Sequence, residues 1–130
     1  FPAILIGLFF QAVMFQHGGL TTLGLNATMI GVPALLAYQV FRLRRIPGTD
    51  SRAWTAVFGF LAGAIGLGLG AVFVAFVLVT FLPSQLDAEA ERASIYALTL
   101  AHVPLMILEG VFTALVVLFL ERVRPELLED

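Results

Sequence analysis

The 130-residue chain contains no cysteine and no lysine. Without cysteine there are no disulfides, no thiolate metal sites and no thiol catalysis. Charge is scarce as well: 12% of residues are Asp, Glu, Lys or Arg, against about 25% in a soluble domain. Residues 1–41 carry no charge beyond a possible proton on His17, residues 53–86 carry none, and residues 93–120 carry only Glu109. A net charge of −2 gives no reason to expect a nucleic-acid partner. Secretory signal, heptad, HExxH, phosphate-binding glycine loop and nucleophile-elbow serine are all missing from the sequence. All seven basic residues are arginine, and the sequence offers no physical reason for that choice.

What is present is hydrocarbon. Hydrophobic residues make up 60% of the chain, and the mean hydropathy is +1.00. Uncharged apolar runs of this length read as transmembrane helices. The expected fold is all-α, a polytopic bundle of about four helices forming a single integral membrane domain over residues 1–130. The helices are expected at about Phe1–Gln16, Asn26 or Ala27 to Arg42, Ala53–Leu82 and Ala93–Val123. The first only just reaches across a ~30 Å hydrocarbon core. Phe1 already stands in an apolar run, so the natural chain is expected to begin upstream. Pro33 and Pro104 are expected to bend their helices, and Gln11 to make an inter-helix hydrogen bond.

The stretch Phe15–Asn26, FQHGGLTTLGLN, is the polar centre of this apolar chain. The pair Gly18-Gly19 permits a sharp turn, and Asn26 is suited to capping the second helix. The following loop carries Arg42, Arg44, Arg45 and Arg52 around Pro47-Gly48 and one acid, Asp50. The positive-inside rule puts that loop in the cytoplasm. Asp87, Glu89 and Glu91 then mark an outer loop, and Arg122 and Arg124 return the C-terminus to the inside. Both ends of the chain are thus expected on the cytoplasmic side of a cell membrane, the inner one where there are two, with the His17–Asn26 loop outside.

Two faces stand out. Gly59, Gly63, Gly66 and Gly70 are spaced four, three and four, which puts small residues on one side of the third helix for close helix packing. Thr99, His102, Met106, Glu109 and Thr113 follow three-four spacing on the fourth helix and share a face. Glu109 lies about 20 Å from Arg122 along the axis, near mid-membrane. A charge facing lipid at that depth costs ~2.5 kcal/mol or more, so Glu109 should face the bundle interior, a cavity or a partner. It either lines a substrate or ion path or locks helices together. His102 is either a satisfied interior histidine or a ligand. Because His17 and His102 both lie toward the outer side, a metal site there is conceivable, imidazole suiting nickel, copper, zinc and cobalt. His102 and Glu109 are roughly 10 Å apart along the helix, so one ion does not easily join them.

The segments FPAILIGLFFQAVMFQHGGLTTLGLN, VPALLAYQVFR and AHVPLMILEGVFTALVVLFLERVRPELL closely resemble the cobalt/nickel (CbiM/NikM) substrate-binding components of energy-coupling-factor transporters. The match is weaker through the third helix. The resemblance implies an ATP-driven importer's substrate-capture subunit of roughly seven helices for Co²⁺ or Ni²⁺, in the setting of cobalamin biosynthesis. It further implies a transmembrane coupling (T) subunit and cytoplasmic ATPase subunits as partners. ATP hydrolysis would belong to those partners, and the chain would need no cofactor of its own. The family's main ligands, an N-terminal Met-His pair and a histidine in a following loop, fall upstream of Phe1. On that basis the N-terminal helices of the family fold are missing here. His17, His102 and Glu109 remain this chain's metal-facing candidates, and Gly18, Gly19 and Asn26 correspond to a loop that closes over the site. Two other readings compete: a membrane-embedded enzyme using Glu109 and His102, and a purely structural membrane subunit held by its glycine face.

Overall fold

The computed structural model describes residues 2–15, 22–45, 51–83 and 87–128. Four helices follow one another: α1 (Pro2–Phe15), α2 (Leu23–Arg42), α3 (Arg52–Thr80) and α4 (Ala88–Val123). Short 3₁₀ turns follow α2 at Leu43–Arg45 and α4 at Pro125–Leu128. Among the described residues there is no strand. By length and composition α2, α3 and α4 are apolar enough to cross a membrane. The 14 residues of α1 reach about 21 Å, short of the hydrocarbon thickness.

The helix starts obey local capping chemistry. Ser51 takes an extended backbone (φ −123°, ψ 150°), and its hydroxyl accepts from the Trp54 amide at 3.4 Å. The Asp87 carboxylate accepts from the amides of Glu89 (3.0 Å) and Ala90 (3.3 Å). Acids at Glu89 and Glu91 in that first turn suit the positive end of the helix dipole. Asp87 and these acids extend α4 five residues ahead of its expected start at Ala93.

The start of α2 corrects the expectation for Asn26. The helix begins a turn earlier, with Thr22 at the N-cap position. Asn26 lies inside α2, where its amide Nδ2 donates to Thr22 Oγ1 at 3.3 Å. The apolar residues Leu23 and Leu25 favour continuing the helix upstream, and Asn26 braces its first turn from within. Pro33 and Pro104 both lie inside unbroken helices. The side chain of Gln11, half-buried on α1, makes no hydrogen bond among the described residues, in contrast to the expected inter-helix bond.

The centre of the bundle is α3. It packs against α4 on one side and α2 on the other, while α1 touches only α2 among the described elements. No close backbone approach joins α2 to α4. The α3–α4 seam is built on glycines. A Cβ at Gly59 would meet Val117 Cγ2 at 2.6 Å and Ala114 Cα at 3.2 Å, and one at Gly63 would meet Thr113 Oγ1 at 2.5 Å and the Glu109 carbonyl oxygen at 2.7 Å. From the opposite helix, a Cβ at Gly110 would meet the Phe60 ring at 2.7 Å and its carbonyl at 2.8 Å. Backbones this close gain dispersion contacts that lipid tails do not supply.

The glycine stripe does not act as one face. Gly59 and Gly63 turn to α4. Gly66 turns to α2, where a Cβ would stand 3.2 Å from Ala37 Cβ, and Gly70 is looser, with only the Met29 carbonyl at 4.0 Å. Over eleven residues the stripe turns only about 20° around the axis, so the change of partner comes from which neighbour lies against α3 at each level.

At the arginine-bearing end the elements are tied by polar contacts. Thr55, 5% exposed, donates its hydroxyl to Glu121 Oε1 at 2.8 Å, which links α3 to α4. Arg44 and Arg45 both donate to the Leu128 carbonyl, Arg45 at 3.2 Å, so the final turn sits on the end of α2. Arg44 also stacks over Phe41, 4.8 Å from the ring centre, and Arg42 over Tyr38 at 5.7 Å. A tyrosine ring beneath an arginine at a helix end is the pairing that suits a membrane interface.

Candidate functional site

The separation of α2 from α4 leaves a groove of about 740 Å³ with α3 as its floor. The floor is made of small residues, Ala62, Gly63, Gly66, Gly70, Ala71 and Ala75, with Leu67, Val74 and Leu78 between them. The α2 wall offers Met29, Pro33, Ala34 and Ala37. The α4 wall carries the polar groups Thr99, His102, Glu109 and Thr113 beside Ile95, Leu98 and Val117.

Four of the five residues expected to share a polar face on α4 do line this groove. Met106 is the exception: its Cε fills the hollow over Gly68, where a Cβ would lie 2.5 Å away. A thioether is flexible and apolar enough to pack as a core filler, and here it goes to the seam rather than the groove. Gly68 and Gly110 were not singled out by the sequence pattern, because neither belongs to the regular stripe. Their signal was only that each is a glycine inside a long apolar helix. Met29, the groove's one thioether, follows Thr28 in sequence but belongs to no polar series at helical spacing that would draw attention to it.

The α4 polar row has a defined hydrogen-bonding sense. Thr99 donates its hydroxyl to the Ile95 carbonyl at 2.8 Å. His102 Nδ1 lies 2.8 Å from the Leu98 carbonyl oxygen. A carbonyl only accepts, so Nδ1 carries the proton and the neutral ring keeps a lone pair on Nε2. Glu109 is exposed along the groove, and among the described residues no side chain bonds to its carboxyl. The row therefore offers acceptors: a hydroxyl oxygen, an imidazole nitrogen and a carboxyl group.

Among the described residues no three His, Cys, Asp or Glu side chains converge as a metal-binding group. His17, Gly18 and Gly19 lie outside the described residues.

The structure thus defines a helical unit with helices long and apolar enough to cross a membrane and a groove with a small-residue floor and one polar wall, and comparison with known proteins shows its family. The chain belongs to the family described as the cobalt uptake substrate-specific transmembrane region, whose model matches residues 1–127. It is 32% identical over 129 residues to a putative metal transport protein of Haemophilus influenzae, covering 98% of this chain and 59% of that protein. It is 35% identical to a cobalt transport protein CbiM of Sorangium cellulosum, covering 95% of this chain and 54% of that one. A cobalt transport protein CbiM of Chlorobium limicola is 38% identical over 116 residues, 85% of this chain and 43% of the relative. The chain thus spans about half the length of these relatives. No solved structure gives a significant match.

Proposed function

We propose that this chain forms part of the membrane subunit that captures divalent cobalt for uptake, with nickel as the alternative cargo of the same coordination chemistry. The observation that carries the reading is the family match across residues 1–127, supported by three helices long and apolar enough to span a bilayer. The partners in this reading are a transmembrane coupling subunit and cytoplasmic ATPases. Energy enters there, and no bond-breaking chemistry falls to this chain.

The arginine-bearing end is the cytoplasmic one. Arg44 and Arg45 reach the C-terminal turn at Leu128, so the α2–α3 connection and the C-terminus share one end of the bundle, as the positive-inside rule requires for both basic clusters. The Asp87–Glu91 start of α4 then lies outside, and the His17–Asn26 stretch is assigned to the same side.

His17, His102 and Glu109 are secondary to cargo binding in this reading. His102 and Glu109 stand about 10 Å apart along one helix, too far to close on one ion. The principal ligands belong to the further length that the family's members carry. The test is radioactive cobalt uptake by cells lacking their own importer, with this chain supplied in a full-length family protein together with its partner subunits. Uptake above the background of cells lacking the chain supports the proposal. Background uptake of both cobalt and nickel, with the protein present in the membrane, would overturn it.

A further inference from the structure

The helices divide into two units by how they are joined. Between α3 and α4 the backbones meet at Gly59, Gly63 and Gly110, and the Thr55 hydroxyl donates to Glu121 Oε1 at the arginine-bearing end. Neither helix shifts on the other without parting backbone from backbone, so this pair is stiff. The second unit is α1 with α2, because α1 touches only α2 among the described elements. Its hold on α3 is lighter. A Cβ at Gly66 would meet only the Ala37 Cβ within 4 Å, and one at Gly70 a single carbonyl oxygen at 4.0 Å.

Arg44 and Arg45, in the turn after α2, tie this second unit to the turn after α4. Both donate through Nη2 to the same Leu128 carbonyl, and no close backbone approach between those turns accompanies the bonds. The chemistry suits a catch rather than a seam. The acceptor is a neutral main-chain oxygen. The donors stand on long side chains, Arg44 half-buried and stacked on Phe41, Arg45 exposed. Such bonds break and re-form by rotamer changes, with water taking the lost partner's place. A seam of glycine backbones has no such route. We propose that Arg44, Arg45 and the Leu128 carbonyl form a releasable clasp, and that α1–α2 swings as an arm against the stiff α3–α4 pair when it opens. The clasp lies at the end assigned above to the cytoplasm, where the ATP-hydrolysing partners act. Its use in the transport cycle rests on that reading, and its action as a catch does not.

The absence of cysteine allows spin labels to be placed in pairs. Leu36→Cys with Phe119→Cys spans α2 and α4, and Val72→Cys with Phe119→Cys stays within α3–α4. All three positions are exposed. Distances are read by pulsed electron resonance in bilayers, in a full-length family protein made cysteine-free and carrying this chain. Arg44→Met with Arg45→Met removes the donors and keeps the stems. It should lengthen the Leu36–Phe119 distance by several ångströms and leave the Val72–Phe119 distance unchanged. Arg44→Lys with Arg45→Lys should retain most of the parent distance. Arg42→Met with Arg52→Met takes the same charge from the same end and should change neither distance. An unchanged Leu36–Phe119 distance without the two donors would overturn the clasp. So would an equal lengthening in the Arg42→Met, Arg52→Met protein, which would make loss of charge the cause. If the Arg44→Met, Arg45→Met protein fails to accumulate, Arg45→Met alone is read. It should show a longer-distance population that the parent lacks, and its failure to do so would overturn the clasp. In the assembled transporter the Leu36–Phe119 distance should take two values between the nucleotide-free and ATP-bound states. One value throughout, in a transporter that takes up cobalt, would overturn the moving arm. Background cobalt uptake by the unsubstituted protein would overturn the cargo reading instead, and the clasp would still be judged by the distances.

Discussion

The two sides of α3 solve the same problem differently. Toward α4, Gly59, Gly63 and Gly110 bring backbone to backbone, and a methyl group has nowhere to go. Toward α2 the approach is looser, Gly70 having only one atom at 4.0 Å, and between α2 and α4 the surface opens into a groove. In a bilayer, where lipid tails are as apolar as leucine, only close backbone contact and satisfied polar groups distinguish a packed seam from an open face. The α3–α4 seam has both. The groove has the small residues and the polar row, but little of this chain to fill it.

The sharpest way to break this contrast is at the seam. Gly63→Leu should separate α3 from α4, because the first carbon already meets the Glu109 carbonyl at 2.7 Å. A loss of about 3 kcal/mol or more is expected from overpacking against backbone, read as a drop in reversible unfolding stability in mixed micelles. Gly110→Ala, blocked by the Phe60 carbonyl at 2.8 Å, should cost about 1–3 kcal/mol in the same assay. Thr55→Val removes the hydroxyl that reaches Glu121. Polar contacts between membrane helices average about 0.6 kcal/mol, so a loss near that size is expected, with Thr55→Ser retaining most of it. On the open side, Gly70→Ala should change stability by less than about 0.5 kcal/mol. If Gly70→Ala proved as damaging as Gly110→Ala, the distinction between a closed and an open side of α3 would collapse.

Much of this was legible in the residues, and the parts that were not share a cause. The charge gaps set out the apolar helices, and Asp87 and Ser51 are capping residue types in capping positions. The resemblance of GGLTTLGLN and HVPLMILEG to a metal-uptake family agrees with the family match. Asn26 was misplaced because asparagine serves equally as a cap and as a brace one turn inside a helix, and the choice depends on whether Leu23 and Leu25 join the helix. Met106 was grouped with Glu109 because both fall on a three-four series. That series says which residues are neighbours on a helix, and cannot say where the boundary between two packing partners falls.

The sequence by itself determined that this is a chain of long apolar helices and where those helices sit within a few residues, and the cost of a charge in lipid is the reason to expect Glu109 to turn away from it. Burial of uncharged runs and capping are local or nearly local in their physics, so composition and spacing suffice. Only the tertiary structure decided that Gly59 and Gly63 turn to α4 while Gly66 turns to α2, that Met106 fills the hollow at Gly68, and that α2 and α4 stand apart with Glu109 along the gap. Those outcomes depend on the relative rotation and crossing of three helices. Small residues permit close approach on several faces, and the packing of the whole bundle selects among them.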